Sequence, residues 1–214
     1  MDEVTCGHKR LCRHGLTVRQ SNGQTVLMTT LLYSGNLGIG QDIGTVLRAA
    51  ACLNGDADLH ILIVGSGKGL PWARALASEL QLRDVEFRPP VPLYRLPDLL
   101  AGGDIHVICQ KAGTEGLLIP SKIYGTLAVG RPVIFVGPKH CEVAQIVRDS
   151  CSGFVVEPGD VPGAAKAIRE LALDADLRKT MGQRARQYYA EKFGRRRSVA
   201  RIIDVIERVA GNGR

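Results

Sequence analysis

Short, continuously apolar runs alternate with longer amphipathic stretches along most of this chain, and that alternation restricts the fold more than any other feature. The apolar runs occupy residues 26–33, 59–64, 85–87, 105–109, 132–136 and 154–155. Strands of a parallel sheet read this way because helices cover both faces and leave no side for polar residues. Between them, residues 43–53, 71–82, 96–101, 120–129 and 143–149 carry apolar side chains at helical spacing, and Gly130 follows one of these runs as a stop signal. Such repetition builds right-handed βαβ units, so the expected fold class is α/β: a Rossmann-like, doubly wound parallel sheet. Past residue 160 the strands stop recurring at this pace. Residues 161–173, 175–192 and 195–209 predict three extra C-terminal helices. In the last of them Val199, Ile202, Ile203, Ile206 and Val209 share one stripe, while Arg195, Arg196, Arg197, Arg201 and Arg208 crowd the remainder.

A chain of 214 residues can bury a substantial core. Its 25 glycines follow no period, which excludes collagen-like and low-complexity readings. No apolar run reaches the roughly 20 residues needed to cross a bilayer. The start, Met1-Asp2-Glu3, has no apolar signal region, so a cytoplasmic location is expected, with Cys6, Cys12, Cys52, Cys109, Cys141 and Cys151 as reduced thiols. Cys6, His8, Cys12 and His14 could surround a zinc ion, but their spacing is not a common one and a solvated N-terminal segment is the alternative, so no metal is assigned. Asp56-Ala57-Asp58 spells an Asp-x-Asp pattern but precedes a strand, where it reads as a turn. The net charge of +7 resides in residues 176–214, which hold eleven Lys/Arg and four Asp/Glu. The tail lacks the aromatic interleaving that stacks bases, which argues against nucleic acid as a partner. An anionic membrane surface at the inner face of the cytoplasmic membrane stays open as a partner of this tail.

Ligands of open parallel sheets bind beyond the carboxyl ends of the strands. The loops expected there are rich in glycine. The first strand runs into Ser34-Gly35-Asn36-Leu37-Gly38-Ile39-Gly40, ahead of a helix whose start would offer free N–H groups to an anion. The second runs into Gly65-Ser66-Gly67-Lys68-Gly69, a near-match to a dinucleotide fingerprint, with Glu86 about where a ribose-binding acid would fall. An NAD(P)-binding domain is therefore an alternative. The fourth loop and its helix read Gly113-Thr114-Glu115-Gly116-Leu117-Leu118-Ile119-Pro120-Ser121-Lys122-Ile123-Tyr124-Gly125. Pro120 suits a first helical turn, which would place Ser121 and Lys122 in that turn too. A lysine there opposes the helix dipole unless an anion is bound, and a diphosphate would satisfy both. Glu115, just upstream, could accept hydrogen bonds from sugar hydroxyls.

Tyr33-Ser34-Gly35-Asn36-Leu37-Gly38, Glu115-Gly116-x3-Pro120-Ser121-Lys122-x-Tyr124-Gly125 and Gly130-Arg131-Pro132-Val133-Ile134 together resemble family 4 retaining glycosyltransferases of the GT-B fold, in the branch that builds bacterial surface polysaccharides. Gly153-Phe154-Val155-Val156-x-Pro158-Gly159-Asp160 and Met181-Gly182-x2-Ala185-Arg186 are similar to that family's closing segments. The resemblance spans roughly residues 28–209 and covers the C-terminal, donor-binding half of such enzymes. It implies that residues 1–25 are an interdomain linker remnant and 26–214 the nucleotide-sugar donor domain. It implies that Gly35, Asn36, Leu37 and Gly38 face the diphosphate, and that Gly65, Gly67, Pro90 and Val91 border the nucleoside. Glu115 and Gly116 would meet the donor sugar, with Glu115 as the catalytic-site carboxylate, and Ser121 and Lys122 would lie near the diphosphate and ribose. No cofactor or metal is implied. The substrate would be a nucleotide-diphosphate sugar, a UDP-sugar in preference to a GDP-sugar, and transfer would retain configuration.

Two departures from the pattern stand out. Asn36 and Gln41 occupy the positions of the usual diphosphate-clamping Arg and Lys. The second Glu of the family's Glu-x7-Glu motif falls on Ile123 or Gly125, depending on the end from which it is counted. An acceptor-binding half has no counterpart, so the chain alone is expected to bind donor weakly and to transfer nothing. A separate N-terminal acceptor-binding domain or subunit would complete it, and a non-catalytic nucleotide-sugar-binding subunit of a split enzyme is the second alternative.

Overall fold

In the computed structural model of this chain, residues 9–11, 17–21, 24–53, 58–117 and 119–211 are described. The element order is β1 (Lys9–Leu11), β2 (Thr17–Ser21), β3 (Gln24–Ser34), α1 (Ile43–Ala51), β4 (Leu59–Val64), α2 (Leu70–Glu79), β5 (Val85–Arg88), α3 (Leu96–Gly102), β6 (Ile105–Cys109), α4 (Lys122–Val129), β7 (Val133–Val136), α5 (Glu142–Asp149), β8 (Gly153–Val156), α6 (Val161–Leu173), α7 (Ala175–Lys192) and α8 (Arg195–Gly211). A 3₁₀ turn, Leu93–Arg95, leads into α3.

Six strands form a parallel sheet in the order β5-β4-β3-β6-β7-β8. This is the doubly wound Rossmann order, with the direction of winding reversing beside β3. The strand parity explains the two layers. Leu31, Tyr33, Ile61, Ile63, Val107 and Cys109 point to the side covered by α1, α2 and α6. Ile108, Val133 and Phe135 point to the other side, under α4, α5 and α7. Both faces are therefore apolar, as the unbroken runs predicted.

The elements differ from expectation mainly near the N-terminus. Within the stretch 1–25, β1 and β2 add two antiparallel strands, β2 pairing with the first half of β3. The polar alternation Thr17-Val18-Arg19-Gln20 hides β2, and the Asn22-Gly23 pair was its one sequence signal, because that dipeptide favours hairpins. At the other end, α8 leaves Val199, Ile202, Ile203, Ile206 and Val209 exposed, so the predicted stripe exists and is uncovered in this chain. Gly182 of α7 crosses Gly130 so closely that a Cβ on Gly182 would lie 2.2 Å from the Gly130 carbonyl oxygen.

Candidate functional site at the carboxyl edge

The chemistry-bearing residues gather where β3, β4 and β6 end. The loops after β3 and β4 are bound to each other: the Gly35 N–H donates to the Val64 carbonyl (2.8 Å), Leu37 N–H to Ser66 (2.7 Å), and Gly69 N–H to Leu37 (2.9 Å). A Cβ at Gly65 would stand 1.9 Å from the Gly35 oxygen, and one at Gly67 would stand 2.4 Å from the Leu37 oxygen. The glycine spacing that looks like a nucleotide fingerprint thus lets two loop backbones meet. Leu37 contributes backbone position only, since its side chain is buried.

Lys122 is the centre of the site. It is the first residue of α4, behind Ser121 at the N-cap, and that cap has no side-chain hydrogen bond. Pro120 therefore stands just outside the helix instead of inside its first turn, and its carbonyl accepts the Ile123 N–H (3.2 Å). The Lys122 Nζ donates to the Tyr33 hydroxyl (3.0 Å) and to the Asn36 carbonyl (3.4 Å), and lies 4.6 Å from the centre of the Tyr33 ring. Burial lowers its pKa. All its partners here are neutral, so the ammonium has no counter-ion among them, and a bound anion would supply one. Gly35 makes room for the arm: a Cβ there would be 2.7 Å from Lys122 Cε.

Tyr33 stands next to last in β3, the strand that runs into the Gly35 loop, and no local pattern marks it as a site residue. Its hydroxyl donates to the Asn36 carbonyl (2.8 Å) while receiving Lys122, and burial raises its pKa so that it stays protonated. One side chain thereby positions both the lysine and the loop.

The N-terminus of α1 differs from expectation. Its N–H groups were expected to be free for an anion, but Asp42 caps it, accepting from Thr45 N–H (3.4 Å) and from the Thr45 hydroxyl (2.5 Å). A carboxylate at that helix end offsets its positive pole. The N-termini of α2, α3, α4 and α5 have no side-chain cap, and of these the start of α4 is the one that carries a lysine. In the loop ahead of α1, the Gly38 N–H donates to Gln41 Oε1 (2.7 Å). Where the family pattern has a cation, this chain has an amide that occupies a loop donor.

Glu115 is exposed in the loop after β6, and neighbouring Gly116 has φ +77°. Of the two positions for a second carboxylate, Ile123 is fully buried and Gly125 faces Leu100 of α3. Pro90 is exposed beyond β5, whereas Val91 packs on Leu32, Leu62 and Val64. Glu86 sits within β5, where Arg88 grips its carboxylate with two hydrogen bonds (2.5 and 2.9 Å) and His60 Nε2 lies 3.3 Å away. The acid that supported a dinucleotide is thus engaged inside the sheet.

Cys52, Cys109, Cys141 and Cys151 are free thiols. Among the described residues no group of three or more His, Cys, Asp or Glu could hold a metal ion. Cys6, His8, Cys12 and His14 lie outside the described residues, as do Asp56 and Ala57. No helix among the described residues is long and apolar enough to cross a membrane.

A Rossmann-ordered sheet with two interlocked glycine loops, an uncapped helix start and a cation at its carboxyl edge defines a doubly wound α/β domain whose candidate site lies where such sheets bind ligands. The particular family follows from the whole sequence: residues 18–188 match the model of glycosyl transferases group 1, and the chain belongs to that family, with a GT-B-type fold. Among its relatives is the Escherichia coli (strain K12) protein WcaI, named as a colanic acid biosynthesis glycosyl transferase. The two are 34% identical over 148 residues, 67% of this chain and 35% of WcaI. In structure the chain resembles sucrose-phosphate synthase from Thermosynechococcus elongatus, with a TM-score of 0.76, 19% identity, and coverage of 87% of this chain and 46% of the other. It also resembles Anabaena Alr3699/HepE, solved with UDP-glucose, with a TM-score of 0.70, 17% identity, and coverage of 84% and 49%. The chain spans about a third of the length of the curated relatives it matches.

Proposed function

We propose that this chain is the donor-binding half of a family 4 retaining glycosyltransferase, holding the diphosphate of a nucleotide sugar between the Gly35–Gly38 loop and Lys122. The observation that carries this reading is the Lys122 ammonium, partly buried among neutral partners at an uncapped helix start. The relatives' names support sugar transfer in surface-polysaccharide synthesis as its setting, and HepE's UDP-glucose supports a UDP-sugar donor. Glu115 and Gly116 face the sugar, Gly65, Gly67, Pro90 and Val91 border the nucleoside, and Ser121 lies beside the diphosphate. Lys122 and the α4 N-terminus offset the charge that develops on the departing diphosphate, the role of pre-placed donors in group transfer. The acceptor and the other wall of the cleft come from an N-terminal domain or subunit, because cleavage requires positioning from both sides. The exposed stripe and arginines of α8 suit contact with that partner or with an anionic membrane surface.

Thermal denaturation with ligands tests the donor assignment. UDP is expected to raise Tm, by a free energy near 2.7 kcal/mol at a hundredfold excess over its Kd. Stabilisation by NADH alone would overturn the assignment. Lys122→Ala is expected to weaken UDP at least about tenfold, since a charge-assisted hydrogen bond is lost, and unchanged affinity would remove Lys122 from the site. Gln41→Lys restores the missing cation and releases the Gly38 N–H, so UDP should bind more tightly by a similar factor. Sugar transfer by the isolated chain would refute the requirement for a second half.

A further inference from the structure

A second charged recess lies at the opposite, amino edge of the sheet, and the donor reading makes no use of it. It has a volume of about 470 Å³, within the roughly 300–1,000 Å³ of small-molecule sites, and opens to solvent. Arg178, Lys179, Gln183 and Arg186 line it from one face of α7, where residues three and four apart are neighbours. Arg131 and Asp104 line it from the loops entering β7 and β6.

Structural duties account for part of this charge. Helices antiparallel to the strands end at this edge, and three arginines hold their last carbonyls. Arg131 donates to Ala101 of α3 (2.6 Å), Arg178 to Leu171 and Ala172 of α6 (2.5 and 2.9 Å), and Arg186 to Ala128 of α4. Asp104 accepts the Thr30 N–H (2.8 Å) and lies 3.9 Å from Arg131. Each of the three helix ends carries about −0.5 of a charge, and with Asp104 they offset part of the four positive charges, while Asp174 and Asp176 in the cap and first turn of α7 lie at its rim. Four cations and one carboxylate line the cavity itself. The guanidinium groups, with five N–H donors each, keep donors free, and Lys179 has no hydrogen-bond or ion-pair partner among the described residues.

We propose that this recess binds the phosphate of a small phosphorylated molecule, an anion whose oxygens match the cationic lining and the forked geometry of arginine. The site is independent of the donor reading, because Lys122 and the glycine loops lie at the other edge of the sheet. The same phosphate chemistry could come from a soluble sugar phosphate or from a phospholipid headgroup, and the test separates them.

Calorimetric titration of the full chain with a hexose monophosphate is compared across four forms: the unchanged chain, Lys122→Ala, Lys179→Glu and Gln183→Glu. Lys179 and Gln183 are exposed, so reversing or adding charge there leaves the fold intact, which circular dichroism checks. The expected result is equal binding by the unchanged chain and Lys122→Ala, with binding at least about tenfold weaker in the two glutamate variants. Binding that is lost in Lys122→Ala and kept in Lys179→Glu would overturn the proposal, because the phosphate would then occupy the carboxyl edge. In a parallel arm, vesicles of neutral lipid with and without phosphatidic acid are sedimented with the same proteins. Pelleting that needs phosphatidic acid and is lost in Lys179→Glu, without hexose phosphate binding, assigns the site to a lipid headgroup. No saturable binding in either arm overturns the site.

Discussion

Replacing Gly65 with alanine is expected to lower stability by more than about 3 kcal/mol, read as a drop in the urea midpoint. The added Cβ would fall 1.9 Å from the Gly35 carbonyl oxygen, with the Gly35 carbonyl carbon at 2.9 Å. The obstacle is backbone, held in place by the Gly35 N–H bond to Val64, so no side-chain rotation relieves it. Relief requires that the two loops part, which breaks the Leu37–Ser66 and Gly69–Leu37 bonds and moves the Gly35–Gly38 loop away from Lys122. Stability and UDP binding should therefore fall together. Gly102→Ala is the matched control: it lies at the end of α3 with nothing within 4 Å of a new Cβ, and should gain about 0.5–1 kcal/mol by restricting the unfolded chain. A Gly65→Ala protein within 1 kcal/mol of the parent would show that the loops are not locked as described.

Acidification is expected to remove on the order of 3 kcal/mol through His106 alone. Its ring is buried between the Leu100 carbonyl (Nε2, 2.9 Å) and the Thr126 hydroxyl (Nδ1, 3.1 Å). Burial pushes its pKa down to about 4; the Leu100 carbonyl partly resists this and Arg131 adds to it. The carbonyl assigns the proton of the neutral ring to Nε2 and leaves Nδ1 as an acceptor, with the Thr126 hydroxyl shared between it and the Lys122 carbonyl (3.1 Å). A folded pKa below the unfolded value near 6.5 means that the contribution is fully present above pH 6.5. It is lost as pH falls from there to about 4, where the unfolded chain has taken up a proton that the fold refuses. Chemical denaturation across this range should show the decline, and His106→Gln should be less stable at pH 7 but flatter in profile. An equally steep decline in the variant would place the acid sensitivity elsewhere.

His106 also shows why some of the molecule was hidden from a linear reading. It interrupts an apolar strand run as any polar residue might, and only the packing of α3 and α4 against β6 supplies its two partners. Lys122 was legible because Pro120 and Ser121 mark a helix start and a cation at that place opposes the dipole. Tyr33 was not, since its partners lie 3 and 89 positions away and no local pattern joins them. Glu86 misdirected the reading through its spacing from the Gly65 loop. Arg88, two residues on and on the same face of β5, turns that carboxylate into an internal ion pair. Asp42 was similarly silent until Thr45 was seen to complete a cap on α1.

By itself the sequence determined the doubly wound sheet and its two faces, because parallel strands covered on both sides leave a continuous apolar record and helices between them leave a periodic one. It also determined that the carboxyl-edge loops would be rich in glycine and that a lysine would begin the fourth-loop helix. Tertiary structure alone decided what those glycines are for. They let the loops after β3 and β4 touch backbone to backbone, and they open a path for Lys122 across Gly35 to Tyr33. The physical reason is that contact between loops separated by some 30 residues depends on strand order and register, which no local periodicity encodes. The amino-edge arginines belong to the same class: they share one recess only because the ends of α3, α4 and α6 converge on one face of α7.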